Sequence, residues 1–136
     1  MKTNTEIAVQ FGQSLDEDNF VATAKLLSPT CIYVIGEKRL NGPSEIVGSY
    51  EQNMIEGRKK LDKLEWGKSM AEKINEQEYL IHFTDYLTHK GLSYTHRCTQ
   101  KIRIELGVIS HIFHIENKEE QKKLNDFYLK VGILKT

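Results

Sequence analysis

The chain has 136 residues, with 19 Lys and Arg against 19 Asp and Glu, so its formal net charge is zero. That balance excludes a protein that holds nucleic acid mainly through phosphate contacts, which needs a surplus of positive charge. Hydrophobic residues at 39% and charged residues at 28% describe one buried core under a solvated surface, not a disordered chain.

No run approaches the roughly 20 apolar residues needed to cross a bilayer. Glu6 and Gln10 interrupt the stretch where a secretory signal needs an unbroken apolar region. The expectation is a cytoplasmic chain with no membrane partner. Cys31 and Cys98 form no CxxC pair, so they read as reduced, buried thiols. Two prolines and the absence of a Gly/Ser linker or repeat predict a single domain over residues 1–136.

In chain order, Ile7, Ala8 and Phe11 recur at helical spacing, and Ser14 with Glu17 has the form of a capping box. Phe20, Ala24 and Leu27 then share one face of a second helix, stopped at Ser28 because the residue before Pro29 avoids helical angles. Residues 31–35 form a β-rich run closed by Gly36. Pro43 takes a first helical position, and Ile46, Val47, Tyr50, Met54 and Leu61 line one side of a long helix. From residue 64 to 115 the pattern becomes period 2, broken by turn signals at 75–77, Lys90-Gly91 and Leu106-Gly107. This predicts four long antiparallel strands. Asn117, with Glu120 three residues on, opens a last helix whose apolar stripe is Leu124, Phe127, Tyr128 and Val131.

Helices packed on one face of a curved antiparallel sheet make an α+β fold. The stretches from Asn19 and Phe20 to Leu27 and Ser28, Cys31-Ile32-Tyr33, Asn41-Gly42 to Ile46, Phe83-Thr84-Asp85 and Gly107-Val108-Ile109 resemble landmarks of the NTF2-like (SnoaL-like) superfamily. That resemblance implies a cone around a central pocket and a homodimer formed through the sheet. It implies no single chemistry, because members include isomerases, cyclases, dehydratases, epoxide hydrolases and non-catalytic binding domains. The ketosteroid-isomerase branch has an aspartate base on its first strand, where this chain has Cys31-Ile32-Tyr33-Val34. Asp85 is the candidate for the lone aspartate of the polyketide cyclases.

Strand parity locates the pocket. A two-residue turn at Lys90-Gly91 places Asp85 opposite His96, Phe83 opposite Cys98, Ile81 opposite Gln100 and Leu87 opposite Tyr94, all on one mostly apolar face. The other face carries His82, Thr84, Tyr86, Arg97 and Lys101. A second turn at Leu106-Gly107 pairs Ile102 with His111 and Gln100 with Phe113, provided no bulge intervenes.

Asp85 and His96 are therefore the candidate catalytic pair. Opposed Cβ atoms are about 5 Å apart, close enough for the carboxylate to orient the imidazole as a general base. Such a base would move a proton beside a carbonyl, as an isomerase, dehydratase or cyclase does. A buried polar pair that only orders the sheet or binds a ligand is the competing reading, and a dimeric interaction domain is a third.

The candidate pocket residues are Tyr33, Tyr50, Trp66, Phe83, Tyr94, Cys98, Gln100 and His111. The tyrosines offer hydroxyl donors, Trp66 an aromatic wall and Cys98 an inert thiol. No metal is expected: on this register His96 and His111 are about 20 Å apart, and His82 and His114 have no third ligand. No cofactor is expected either. The charged run at 118–123 reads as the solvated face of the last helix. The expected ligand is a small hydrophobic molecule.

Overall fold

The computed structural model describes residues 2–134. Met1, Lys135 and Thr136, which the single-domain expectation also takes in, lie outside the described residues. The elements run α1 (Asn4–Asp16), α2 (Phe20–Leu26), β1 (Leu27–Ile35), β2 (Lys38–Asn41), α3 (Gly42–Lys60), β3 (Lys63–Trp66), β4 (Met70–Lys73), β5 (Glu78–His89), β6 (Leu92–Glu105), β7 (Val108–Ile115) and α4 (Lys118–Lys130). The class is α+β. One sheet runs β2-β1-β7-β6-β5-β3, with β4 also on β5. Every pairing is antiparallel except β1 with β7. No described helix is long and apolar enough to cross a membrane.

The helix caps follow local chemistry. α1 is opened by a true capping box in which the Thr3 hydroxyl accepts the Glu6 N–H and the Glu6 carboxylate accepts the Thr3 N–H. Ser14 is not a cap, contrary to the sequence pattern. It lies buried inside α1, where its hydroxyl bonds the Phe11 carbonyl and the Thr23 hydroxyl. Asn19 caps α2 instead, through the Ala22 N–H. α3 begins with Pro43 in its first turn, and Asn117 caps α4 by accepting the Glu120 N–H.

Two features of the sheet were not in the periodicity. The segment 38–41 returns as β2, an edge strand paired on β1. The first of the four expected long strands is also two short pieces, β3 and β4, interrupted at residues 67–69 and both paired with β5.

The first hairpin forms as its turn residues dictate. Lys90 (φ 50°) and Gly91 (φ 79°) both occupy the left-handed region that a two-residue turn requires, and Asp85 lies opposite His96. The second hairpin starts in the expected register, with Ile104 opposite Ile109, but shifts by one residue between Arg103 and Ile104.

Burial divides into two clusters. The larger joins Ile7, Ala8 and Phe11 of α1 and Ile46 of α3 to Tyr33, Tyr79, Ile81, Ile102, Ile109 and Ile112 of the sheet. The smaller joins Leu61 and Leu87 to Phe127 and Val131 at the end of α4.

Candidate functional site

A cavity of about 380 Å³ lies between the two clusters, bounded by the sheet and by α1, α3 and α4. The pleat supplies its floor, because alternate residues of each strand face the same side. β5 contributes Phe83, Asp85 and Leu87; β6 contributes His96, Cys98 and Gln100. Tyr33, Tyr50 and Trp66 complete the sequence-derived candidates found in the lining. Tyr94 and His111 are not in it, and the structure gives a reason for each.

His111 is displaced by the shift in β6 and β7. It lies opposite Arg103 instead of Ile102, with its side chain 37% exposed, and Phe113 lies opposite Lys101. The shift turns His114 inward, opposite Gln100 and into the cavity lining. His114 therefore leaves the outer face that simple parity assigns it. Tyr94 is committed to α4: its ring stacks on Phe127 at 5.6 Å and its hydroxyl donates to Glu120 Oε1 at 2.6 Å.

Asp85 sits in register between Trp66 on one neighbouring strand and His96 on the other. Its carboxyl is pushed up to about 7. Burial disfavours the charged form, and the nearby Asp16 carboxylate adds repulsion. Asp16 itself is held by donors, since its Oδ2 accepts both the N–H and the hydroxyl of Ser69. Among the described residues Asp85 has no such bonds to offset its burial. A carboxyl of this kind can hold or release a proton near neutrality.

His96 is not the hydrogen-bonded partner of Asp85 that the cross-strand pairing suggests. Its Nδ1 lies 3.2 Å from Glu120 Oε1, at an angle too poor for a hydrogen bond. Glu120 is fully engaged from other directions: the same oxygen accepts the Tyr94 hydroxyl and the Arg97 N–H. Burial lowers the imidazole's pKa and His114 adds to that effect, while Glu120 opposes it. The ring is therefore held in its neutral form at neutral pH.

Tyr50, Gln100 and Tyr33 form a relay of hydrogen bonds at the other end. The Tyr50 hydroxyl donates to Gln100 Oε1 at 2.6 Å, and Gln100 Nε2 donates to the Tyr33 hydroxyl at 2.9 Å. The two rings stack at 5.5 Å. This direction of donation leaves the Tyr33 O–H as the free end. Burial raises both phenols above their ordinary range, so both remain protonated donors. The Cys98 thiol is pushed up to about 12, by burial first and then by Asp85, which makes it an inert wall.

At the rim, Trp66 Nε1 donates to Asp18 Oδ1 at 2.7 Å. Arg58 pairs with Asp18 Oδ2 at 2.9 Å and lies over the indole at 5.6 Å.

The sequence did not single out Asp16, Tyr128 or Glu120. Tyr128 reads as one residue of the apolar stripe of α4, yet it lines the cavity, and burial first, then Asp85, raises its phenol. Glu120 reads as part of a solvated charged run, yet its side chain is 17% exposed. Its one advance signal was its place three residues after Asn117, which accounts for the cap and not for the inward turn. Among the described residues no group of three or more His, Cys, Asp or Glu is arranged to hold a metal ion.

No family model and no curated protein sequence matches the chain. Its architecture has clear counterparts among solved structures. An NTF2-like protein from Burkholderia thailandensis E264 superposes with a TM-score of 0.70 at 15% identity, covering 90% of this chain and 97% of that one. TerC, co-crystallised with polyporic acid, gives 0.68 at 11% identity, covering 90% and 98%. A Mycobacterium tuberculosis LEH-like epoxide hydrolase gives 0.64 at 14% identity, covering 96% of each chain. At such identities the likeness is one of fold.

Proposed function

We propose that this chain, whose fold is that of the NTF2-like proteins, is a small-molecule pocket protein that moves protons on a hydrophobic carbonyl compound. The observation that carries this reading is Asp85: a carboxyl with no hydrogen-bond partner among the described residues, poised at about 7, in a cavity whose walls are mainly aromatic and aliphatic.

In this reading the ionised Asp85 removes a proton from the carbon beside the ligand carbonyl. The electron pair moves onto the carbonyl oxygen, giving an enolate. A phenol that is still protonated donates to that oxygen, and Tyr33, as the free end of the relay, and Tyr128, near Asp85, are the two placed to do so. The proton on Asp85 then returns to a different carbon, which completes an isomerisation. Alternatively it goes to a leaving hydroxyl, which completes a dehydration. Neutral His96 supplies a second site for a proton in transit. The solved structures of like fold support the general class, since one was crystallised with polyporic acid and another is an LEH-like epoxide hydrolase.

The test is exchange of the α-protons of cyclic ketones in deuterated water, followed by NMR. Wild-type protein should catalyse the exchange, and Asp85→Asn should abolish it while retaining ketone binding. Binding without exchange by the wild type would instead establish a non-catalytic ligand-binding domain. The proposal also takes residues 1–136 as one domain that pairs with a second copy across the outer face of the sheet, where Tyr86 and Ile115 are exposed. Sedimentation velocity should show a dimer that Tyr86→Glu dissociates, and a monomeric wild type would refute the pairing.

A further inference from the structure

A second cavity, of about 600 Å³, lies beside the first, between the sheet and the beginning of α4. Ile35, His96, Cys98 and His114 line both, so the two share a wall of side chains. The chemistry changes across that wall. The first cavity is mainly aromatic and aliphatic. The second presents Arg97, Asn117, Lys118, Gln121, Lys122 and Asn125. Two carboxylates, Glu116 and Glu120, also border it. Glu120 keeps its charge: its Oε1 accepts the Tyr94 hydroxyl and the Arg97 N–H, and these bonds hold its carboxyl below the ordinary range. Three cations therefore border the cavity against two carboxylates, and Lys122 also has Asp126 at 3.6 Å.

His96 lines both cavities, so its imidazole stands where an elongated molecule would pass from one to the other.

We infer that the ligand is amphiphilic: a hydrophobic body fills the first cavity, a linker passes His96, and a carboxylate occupies the second cavity among Arg97, Lys118 and Lys122. This rests on the reading of the first cavity as the ligand site, and it specifies the class of ligand taken there.

The probes are ω-(1-naphthyl)alkanoic acids with one, three and five methylene groups, together with their primary amides. Each is titrated against the full chain. Trp66, the only tryptophan, lines the first cavity, so its fluorescence reports occupancy there. Chain length alone will tighten acid and amide equally, because each buried methylene contributes a similar amount. The informative quantity is the preference for acid over amide. The short pair should bind alike, and the five-methylene acid should bind about tenfold tighter than its amide, equivalent to about 1.4 kcal/mol. The Lys118→Met/Lys122→Met double variant, altered only at exposed side chains, should remove that preference and leave amide binding unchanged. Equal binding of acid and amide at every length, or a preference that survives the double variant, overturns the second subsite while the Trp66 response upholds the first cavity. Failure of every probe to perturb Trp66 overturns both.

Discussion

Among the described residues Asp85 has no hydrogen-bond donor of its own, and this makes its protonation a property of the whole cavity. The sign of its effect on stability follows from linkage. The folded state holds the proton up to about 7, whereas the ordinary value is 3.8, so the folded chain binds more protons than the unfolded chain between those limits. The contribution of Asp85 is therefore most favourable below about pH 4 and is lost as pH rises through 7. Replacing it with the neutral isostere removes the loss. Asp85→Asn should be stabilised relative to wild type by about 2 kcal/mol at pH 8, a figure reduced for partial solvent screening, and by almost nothing at pH 4. Thermal melts of both proteins across that range check it, and a difference independent of pH would show that the carboxyl is not perturbed. The same titration governs any base role: exchange should climb with pH up to about 7 and then level.

At the scale of elements, the approach of α1 to β4 depends on Gly12. A Cβ there would run into the Ser69 hydroxyl and come within 3.2 Å of Ile81. Ser69 cannot simply rotate away, because its hydroxyl and its N–H both hold the Asp16 carboxylate. Gly12→Ala would ordinarily strengthen a helix by about 1 kcal/mol, but overpacking should win and destabilise the fold by about 1–3 kcal/mol. Ser69→Gly in the same chain should recover most of the loss, and denaturant melts of the single and double variants measure it. A Gly12→Ala variant as stable as wild type would mean that α1 stands further off. Such close approaches are not legible in the sequence, where Gly12 is one small residue in a helical pattern. The hairpin at Lys90-Gly91 was legible, because a turn needing positive φ at two positions fixes the register of everything paired beyond it. The shift at Arg103 was not. Ile102 and Ile104 continue an unbroken alternation on their own strand, and nothing in that alternation reveals that the partner strand advances by one. The error it caused was confined to residues beyond the shift, exchanging His111 for His114 at the cavity. Glu120 escaped for a different reason: a helix's charged run is identical in composition whether one of its members faces water or turns beneath the sheet.

The molecule as a whole is two packed clusters held apart by a hole. The larger takes in α1, α3 and the β1, β7 and β6 side of the sheet; the smaller is Leu61, Leu87, Phe127 and Val131, with Tyr94 and Leu124 against it. A cavity between clusters removes the side-chain contacts that would otherwise make them one cooperative unit, leaving the long strands β5 and β6 as the main connection. The two should therefore differ in how easily they open. Phe127→Ala removes the central ring of the smaller cluster and its stacking on Tyr94, at a cost of about 3–5 kcal/mol if the site cannot collapse. Hydrogen exchange followed by mass spectrometry should show protection lost in α4, β3 and the turn ends of β5 and β6. Amides beside Ile81, Ile102, Ile109 and Ile112 should retain theirs. A uniform loss over the whole sheet would show that the clusters melt together. A local loss would mean that the wall formed by Leu124 and Tyr128 can move without unfolding the floor that holds Asp85, so a bulky ligand could enter by displacing α4 while the acid–base group stays in place.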